Sequence, residues 1–233
     1  MEKIKKYSAT MAKLAYSDNN NYIANELVKY GIVFLKSFVF GETEGYIATC
    51  EDGQVIVLRG SDKKNDWGTN FDCTLIETDL GWVHEGFYNE INEHYKEYLD
   101  LIEDIKIFVI GHSSGGAKSI ILGKMLKIRK DINAPFFAFE TPRVSNTHYF
   151  NTNGVSTINY SDPVSRVPFK FLNFRHNGII IYFTKTGNAR KGARFIHLLM
   201  DYFTGFNLQF KMHEPALVEL LWLRNWNKIK LMC

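Results

Sequence analysis

The stretch Ile105-Lys106-Ile107-Phe108-Val109-Ile110-Gly111-His112-Ser113-Ser114-Gly115 decides the fold of this chain. An apolar run followed by a G-x-S-x-G pentapeptide and an amphipathic stretch predicts a strand, a sharp turn and a helix. A serine on such a turn presents its hydroxyl clear of the sheet, and the flanking glycines let neighbouring groups approach without a Cβ clash. Ser113 is therefore the candidate nucleophile, although a Gly/Ser-rich turn can match this loose pattern for structural reasons alone.

The length of the chain, 233 residues, suits one α/β domain. A chain of this size buries about 70 to 75% of its unfolded surface, so a disulfide or metal is not needed for stability. The sequence contains no internal repeat, low-complexity tract or linker-like segment. We therefore expect a single domain over residues 1–233.

Charge and cysteine content exclude several classes of protein. Lys and Arg number 28 against 25 Asp and Glu, a net charge of +3, and the basic residues are scattered apart from a run over 124–130 at a predicted helix end. Nucleic-acid binding is therefore not indicated. Cys50, Cys73 and Cys233 are too few and too irregularly spaced for a disulfide framework or a zinc site, so we expect reduced, buried thiols.

A signal peptide requires an apolar region after its charged N-terminal residues. The N-terminal residues of this chain are charged, but no apolar region follows them. The most apolar later run, residues 31–40, is interrupted by Lys36 and is too short to span a membrane. A cytoplasmic location is the default expectation, although export by another route would leave no mark in the sequence.

Strands and helices alternate through the middle of the chain, which predicts an α/β fold with a mainly parallel central sheet flanked by helices. Helices are predicted over 2–16, 22–30, 88–103, 115–129, 194–204 and 214–229. Strands are predicted over 32–40, 45–50, 55–58, 105–110, 135–139, 155–160 and 178–183.

A serine nucleophile needs a histidine to take its proton and a carboxylate to orient that histidine. On a sheet of this kind the acid follows the serine in sequence and lies just after a strand. Asp162 directly follows the predicted strand over 155–160, whereas Asp131 follows a helix and Asp201 lies inside one. Asp162 is the expected acid. The alternative is that the Asp162-Pro163 dipeptide only initiates a turn, as this dipeptide commonly does.

Three histidines follow the expected acid in the chain. His213 stands just before Glu214-Pro215, so a helix-entry loop would present its imidazole. His197 lies inside an amphipathic helix, and His176 lies near the start of a strand. His213 is the preferred base, with His197 and His176 as alternatives.

The tetrahedral intermediate of ester hydrolysis needs two N–H donors held in place in advance. One donor is the backbone N–H of Ser114, the residue after the nucleophile. The segment Leu58-Arg59-Gly60-Ser61 ends an earlier strand and offers Ser61 as the second donor, although Arg-Gly-Ser alone is merely a turn.

Six segments, in the family's order, resemble the class 3 lipases, the fungal-type triacylglycerol lipases and their bacterial relatives. The resemblance covers most of the chain. The segments are Val57-Leu58-Arg59-Gly60-Ser61 (oxyanion loop), Asp66-Trp67 (lid-proximal pair), Val83-His84-Glu85-Gly86-Phe87, Val109 to Ala117 (nucleophile elbow), Thr141-Pro142-Arg143-Val144 and Asp162 to Pro168 (acid loop).

The resemblance implies an α/β-hydrolase domain with a Ser113, Asp162 and His213 triad and an oxyanion hole at Ser61 and Ser114. It implies a serine carboxylester hydrolase that acts on acyl glycerides or related lipids through an acyl-enzyme, without a cofactor and with transient contact with a lipid interface. A phospholipase or a small-ester esterase would use the same triad. A non-catalytic binding module on the same fold is the remaining alternative.

The chain departs from the family pattern at defined positions. Ser114 replaces the usual leucine of the elbow, and Glu140 occupies a position where glycine is common. The surroundings of His213 match the family least. The family's lid would correspond to 66–79, either as a short flap or as an ordinary surface loop. The last helix, 214–229, is expected to dock on the protein body rather than to meet lipid.

Overall fold

A computed structural model describes residues 2–61, 73–103, 106–159, 162–184, 186–192 and 214–232. The strands are β1 (Val33–Phe40), β2 (Thr43–Cys50), β3 (Gly53–Leu58), β4 (Leu75–Thr78), β5 (Gly81–His84), β6 (Ile107–His112), β7 (Phe136–Phe139), β8 (Gly154–Asn159), β9 (Ile179–Phe183) and β10 (Ala189–Lys191). The helices are α1 (Glu2–Leu14), α2 (Asn20–Val28), α3 (Glu85–Glu93), α4 (Tyr95–Asp100), α5 (Ser114–Lys130) and α6 (Pro215–Ile229).

Eight strands form one sheet in the order β1-β2-β3-β6-β7-β8-β9-β10. The central strands β3, β6, β7, β8 and β9 run parallel, and antiparallel strands border them on both sides. The prediction of an α/β fold with a mainly parallel sheet is confirmed. The carboxyl ends of β6, β7 and β8 lie at one edge of this sheet, where the candidate site is located.

Apolar side chains alternate between the two faces of the sheet. Along β6, Phe108 and Ile110 contribute to one core and Ile107 and Val109 to the other. Residues of α1, α2 and α6 complete the first core, and residues of α3, α4 and α5 complete the second. Because both faces are buried, the central strands are continuous apolar runs rather than alternating ones.

The last helix packs against the body of the protein, as predicted. Trp222 of α6 is completely buried, and its indole N–H is 3.1 Å from the carbonyl oxygens of both Lys5 and Lys6 in α1. None of the described helices is long and apolar enough to cross a membrane.

Some sequence predictions differ from the structure. The helix predicted over 88–103 is divided into α3 and α4, because His94 adopts φ −108° and ψ 20° between them. The hairpin of β4 and β5 was not predicted. Cys50 and Cys73 were expected to be buried, but both are half-buried. Cys233 and the helix predicted over 194–204 lie outside the described residues.

The hairpin of β4 and β5 overlaps the segment expected to form a lid. Residues 66–72 of that segment lie outside the described ranges, and Leu75–Thr78 form β4. Asp79, in the turn of the hairpin, accepts hydrogen bonds from Arg129 of α5 at 2.7 and 3.0 Å. The hydrogen bond from Arg129 is the main reason that the pKa of Asp79 is lowered. The hairpin is therefore joined to the helix that follows the candidate nucleophile.

Candidate active site

Ser113 occupies a sharp elbow between β6 and α5. Its backbone adopts φ 60° and ψ −131°, a conformation that non-glycine residues rarely take. A Cβ at Gly111 would collide with the backbone of Gly115, and a Cβ at Gly115 would collide with the carbonyl oxygen of Leu58. Both glycines of the pentapeptide are therefore required by packing. The sequence predicted this close approach of neighbouring groups.

Backbone hydrogen bonds fix the elbow. The Ser113 N–H donates to the carbonyl of Phe139 at 2.9 Å, and the Ser113 carbonyl accepts from the N–H groups of Gly116 and Ala117 at 3.0 and 3.2 Å. The Ser113 hydroxyl is buried and makes no hydrogen bond with any part of the chain that the structure describes. The hydroxyl is therefore held at a defined place with its hydrogen-bonding capacity unused by the described residues.

Asp162 lies beyond the carboxyl end of β8, and Ser113 lies beyond the carboxyl end of β6, with β7 between these parallel strands. The Asp162 carboxylate is fully buried and accepts from the N–H of Val164 at 2.9 Å and from the N–H and hydroxyl of Ser165 at 3.3 and 2.5 Å. The local turn anticipated at Asp162 is thus formed. The same bonds hold the carboxylate rigidly at the edge where an acid is needed.

His176 is buried beside the acid loop. Its Nε2 is 2.8 Å from the carbonyl oxygen of Ser165. Because a carbonyl can only accept, this nitrogen carries the proton and donates it, and it is not available to accept a proton from a serine. His176 therefore supports the acid loop through Nε2, and whether it acts as the base stays untested. His197 and His213 lie outside the described residues, so the choice between them stays a prediction.

The two residues predicted to form the oxyanion hole lie next to each other. The Ser61 N–H donates to the Ser114 hydroxyl at 2.9 Å, and the two hydroxyl oxygens are 3.4 Å apart. The Ser114 N–H begins α5, where N–H groups have no partner within the helix. The sequence predicted a role only for the backbone of Ser114, and the contact of its side chain with Ser61 was not predicted. An oxyanion would have to replace that hydroxyl as the acceptor for Ser61.

Sequence reasoning also missed side chains around these groups. Ser165 follows Asp162 by three positions, a spacing typical of capping turns that could have been noticed. The Tyr16 hydroxyl is 2.7 Å from Nδ1 of His112, a contact between distant segments that no local pattern predicts. In the described part of the chain, no group of three or more His, Cys, Asp or Glu side chains could hold a metal ion.

The family model for lipase (class 3) matches residues 55–172, which is half of the chain. The chain belongs to the class 3 lipase family. The matched region includes Ser61, Ser113 and Asp162, and it ends before all three candidate histidines. The family match therefore agrees with the resemblance stated above but does not identify the base.

Curated class 3 lipase relatives are distant and longer. The secreted mono- and diacylglycerol lipase A of Penicillium cyclopium is 26% identical over 167 residues, covering 64% of this chain and 54% of that protein. The lipase of Rhizopus niveus is 27% identical over 180 residues, covering 70% of this chain and 41% of that protein. The chain thus spans about half the length of these relatives.

Solved lipase structures share the fold. The crystal structure of a lipase from Rhizopus microsporus var. chinensis covers 93% of this chain and 88% of its own, with a TM-score of 0.72 and 19% sequence identity. The likeness supports the assignment of the α/β-hydrolase fold.

Proposed function

We propose that this class 3 lipase is a serine carboxylester hydrolase that cleaves acyl glycerides or related lipids. The observation that carries the proposal is the Ser113 elbow, where a strained serine with an available buried hydroxyl stands at the amino end of a helix. Strain of this kind persists where the surrounding structure holds it, and it is concentrated at functional sites. The buried carboxylate of Asp162 at the same sheet edge supports the assignment.

In the first half of the proposed reaction, the Ser113 hydroxyl attacks the ester carbonyl while His213 takes its proton. The Asp162 carboxylate orients the imidazole and stabilises its positive charge. The oxyanion receives hydrogen bonds from the N–H groups of Ser61 and Ser114. The tetrahedral intermediate then collapses, the imidazolium returns the proton to the departing alcohol, and an acyl-enzyme remains.

In the second half, water attacks the acyl-enzyme and His213 removes one of its protons. The same two N–H donors stabilise the second oxyanion. Collapse releases the carboxylic acid and restores the Ser113 hydroxyl, with the proton returned by the imidazolium. The cycle consumes one ester and one water and produces one acid and one alcohol, so no redox partner or metal is required.

The substrate class is tested with a panel of nitrophenyl acetate, octanoate and palmitate, emulsified diacylglycerol and triacylglycerol, and phosphatidylcholine. We expect fatty-acid release from the glycerides and a preference for the longer nitrophenyl esters. Hydrolysis confined to the acetate would identify a small-ester esterase instead. Release that occurs only from phosphatidylcholine would identify a phospholipase.

The Asp162 carboxylate provides a test of the acid. Asp162→Asn keeps the shape of the side chain but presents a neutral amide, so we expect kcat to fall by about 10⁴-fold because the imidazole loses its orienting charge. Asp131, exposed at the end of α5 in an ion pair with Lys127, is the matched control. Asp131→Asn should leave kcat unchanged. Equal effects of the two substitutions on initial rates would remove Asp162 from the mechanism.

A turn beyond the acid loop exposes apolar side chains to solvent. Phe169, Phe171 and Leu172 are 38%, 81% and 39% exposed. The two phenylalanine rings stack with their centroids 5.2 Å apart. Exposed aromatic side chains so close together are typical of a surface that contacts a membrane or another protein.

Two arginines hold this turn in place. Nη1 of Arg143, a buried side chain, donates to the carbonyl oxygens of Arg166 and Pro168, the latter at 2.8 Å. Nη1 of Arg175 donates to the carbonyl of Lys170 at 3.0 Å. The backbone that presents the aromatic side chains is therefore fixed before any partner binds.

The stretch of sequence that includes the turn is basic, which favours an anionic lipid surface as its partner. Residues 163–192 include six Lys or Arg and no Asp or Glu. Apolar side chains that enter the interface, together with cations that meet anionic headgroups, are the usual basis of peripheral membrane binding. We therefore propose that the Phe169 and Phe171 turn contacts the lipid interface on which the enzyme acts.

Replacing both phenylalanines tests this contact. Phe169→Ser/Phe171→Ser should lower binding to phosphatidylglycerol-containing vesicles by about 10-fold, because the apolar surface that enters the interface is lost. Hydrolysis of a water-soluble ester should change by less than about twofold. Leu220→Ser is the control, because Leu220 is 62% exposed on α6. The interface proposal fails if sedimentation with vesicles is equal for the double variant, the control and the wild type.

A further inference from the structure

Glu140 adopts a conformation that suits glycine better than glutamate. It follows the last residue of β7, its φ is 47°, and its side chain is fully buried. Its N–H donates to the carbonyl and hydroxyl oxygens of Thr157 at 3.1 and 3.2 Å, which fixes the backbone in this state. The strained backbone and the buried acid both lower the stability of the fold. Glycine, which is common at this position in the family, would avoid both effects.

The Glu140 carboxylate faces the imidazole that precedes the nucleophile. Its Oε2 is 3.9 Å from Nε2 of His112, and the other ring nitrogen, Nδ1, is 2.7 Å from the hydroxyl of Tyr16. His112 is buried, and its ring meets the Tyr16 ring edge-on with centroids 5.6 Å apart. An acid, an imidazole and a hydroxyl therefore stand in a row directly beside Ser113.

Tyr16 connects this row to the oxyanion loop. A Cβ at Gly60 would collide with the Tyr16 hydroxyl and would lie 2.6 Å from the His112 carbonyl oxygen and 2.9 Å from Cβ of Ser113. The hydroxyl therefore packs against the residue before Ser61. The Arg59 guanidinium lies over the Tyr16 ring, 5.8 Å from the ring centroid. Tyr16 is thus placed between His112 and the backbone that presents the Ser61 N–H.

We propose that Glu140 is a positioning residue that acts through His112 and Tyr16 on the oxyanion loop. The inference rests on the proposed hydrolase function. A carboxylate beside Nε2 favours the tautomer with the proton on Nε2, as the acid of a catalytic triad does for its histidine. Nδ1 then accepts, so the Tyr16 hydroxyl must donate to it. The oriented tyrosine holds Gly60 and Ser61 in place, and no proton is transferred along the row.

The kinetic test uses Glu140→Gly, Glu140→Gln and Tyr16→Phe with a water-soluble ester. We expect Glu140→Gly to lower kcat about 10- to 100-fold with little change in KM, because the oxyanion donors matter most in the transition state. Glu140→Gln should lie between Glu140→Gly and wild type, and Tyr16→Phe should match Glu140→Gly. Asn173→Gly, at another positive φ (68°), is the control for backbone strain and should leave kcat unchanged.

The double variant Glu140→Gly/Tyr16→Phe separates positioning from a purely structural role. If Glu140 acts through Tyr16, the double variant should be no slower than either single variant. Multiplied effects, or an unchanged kcat in the single variants, would overturn the proposal. If Glu140→Gly does not fold, the same cycle is run with Glu140→Gln.

The histidine tautomer gives a readout that does not depend on activity. Nitrogen-15 NMR of the wild type should show His112 protonated at Nε2, and Glu140→Gly should shift the signal away from that state. An inactive wild type with the expected tautomer would contradict the proposed hydrolase function while supporting the arrangement of Glu140, His112 and Tyr16. An active wild type with His112 protonated at Nδ1 would overturn the positioning role alone.

Discussion

Ser113→Ala is expected to lower kcat for hydrolysis of nitrophenyl octanoate by at least about 10⁴-fold. The residual rate would come from the oxyanion donors and substrate binding, which the substitution leaves in place. Alanine retains the Cβ and the elbow, where the Ser113 hydroxyl makes no hydrogen bond to the described residues, so the fold should be unaffected. Initial rates at saturating ester measure the effect.

Ser119→Ala is the matched control for this substitution. Ser119 is also buried in α5, but its hydroxyl donates to the carbonyl of Gly116 at 2.7 Å within the helix. Its loss should lower thermal stability slightly and leave kcat within about twofold of wild type. Retention of most activity in Ser113→Ala would assign the nucleophile to another residue.

His213→Ala should reduce kcat by a similar factor of at least about 10⁴, because without a base the serine hydroxyl is a poor nucleophile. His197→Ala should leave kcat within about tenfold of wild type, since a histidine on an amphipathic helix commonly has a packing role. Both substitutions are compared by initial rates and by circular dichroism spectra.

The opposite result would correct the assignment of the base. If His197→Ala abolishes turnover and His213→Ala does not, His197 takes the role. His176→Gln is an informative third variant, because the His176 ring donates to the carbonyl of Ser165 within the acid loop. It should lower the melting temperature more than it lowers kcat.

The elbow could be predicted from the sequence because its requirements are local. Gly111 and Gly115 are needed for close backbone approach within a single turn, and the apolar strand before them and the amphipathic helix after them are visible in the sequence. Asp162 could be found for a related reason, since a strand end followed by Asp-Pro is a short-range pattern. The chain order of the catalytic groups then limited the choice of histidine to three.

The remaining features depend on contacts between distant segments. The Tyr16 hydroxyl reaches His112 across 96 residues, and the Ser61 N–H reaches the Ser114 hydroxyl across 53 residues. Apolar periodicity did not reveal the break at His94, because the residues on either side share one helical pattern. The single domain over 1–233 and the cytoplasmic location stay predictions.

Covalent labelling of Ser113 tests the central claim most directly. The full chain is incubated with a fluorophosphonate, which reacts with serines that an adjacent base has activated, and the modified peptide is identified by mass spectrometry. We predict a single adduct on Ser113, formed together with loss of esterase activity and absent from the Ser113→Ala variant. Folded wild-type protein that is not labelled at Ser113, or is labelled at another serine with loss of activity, would contradict the account.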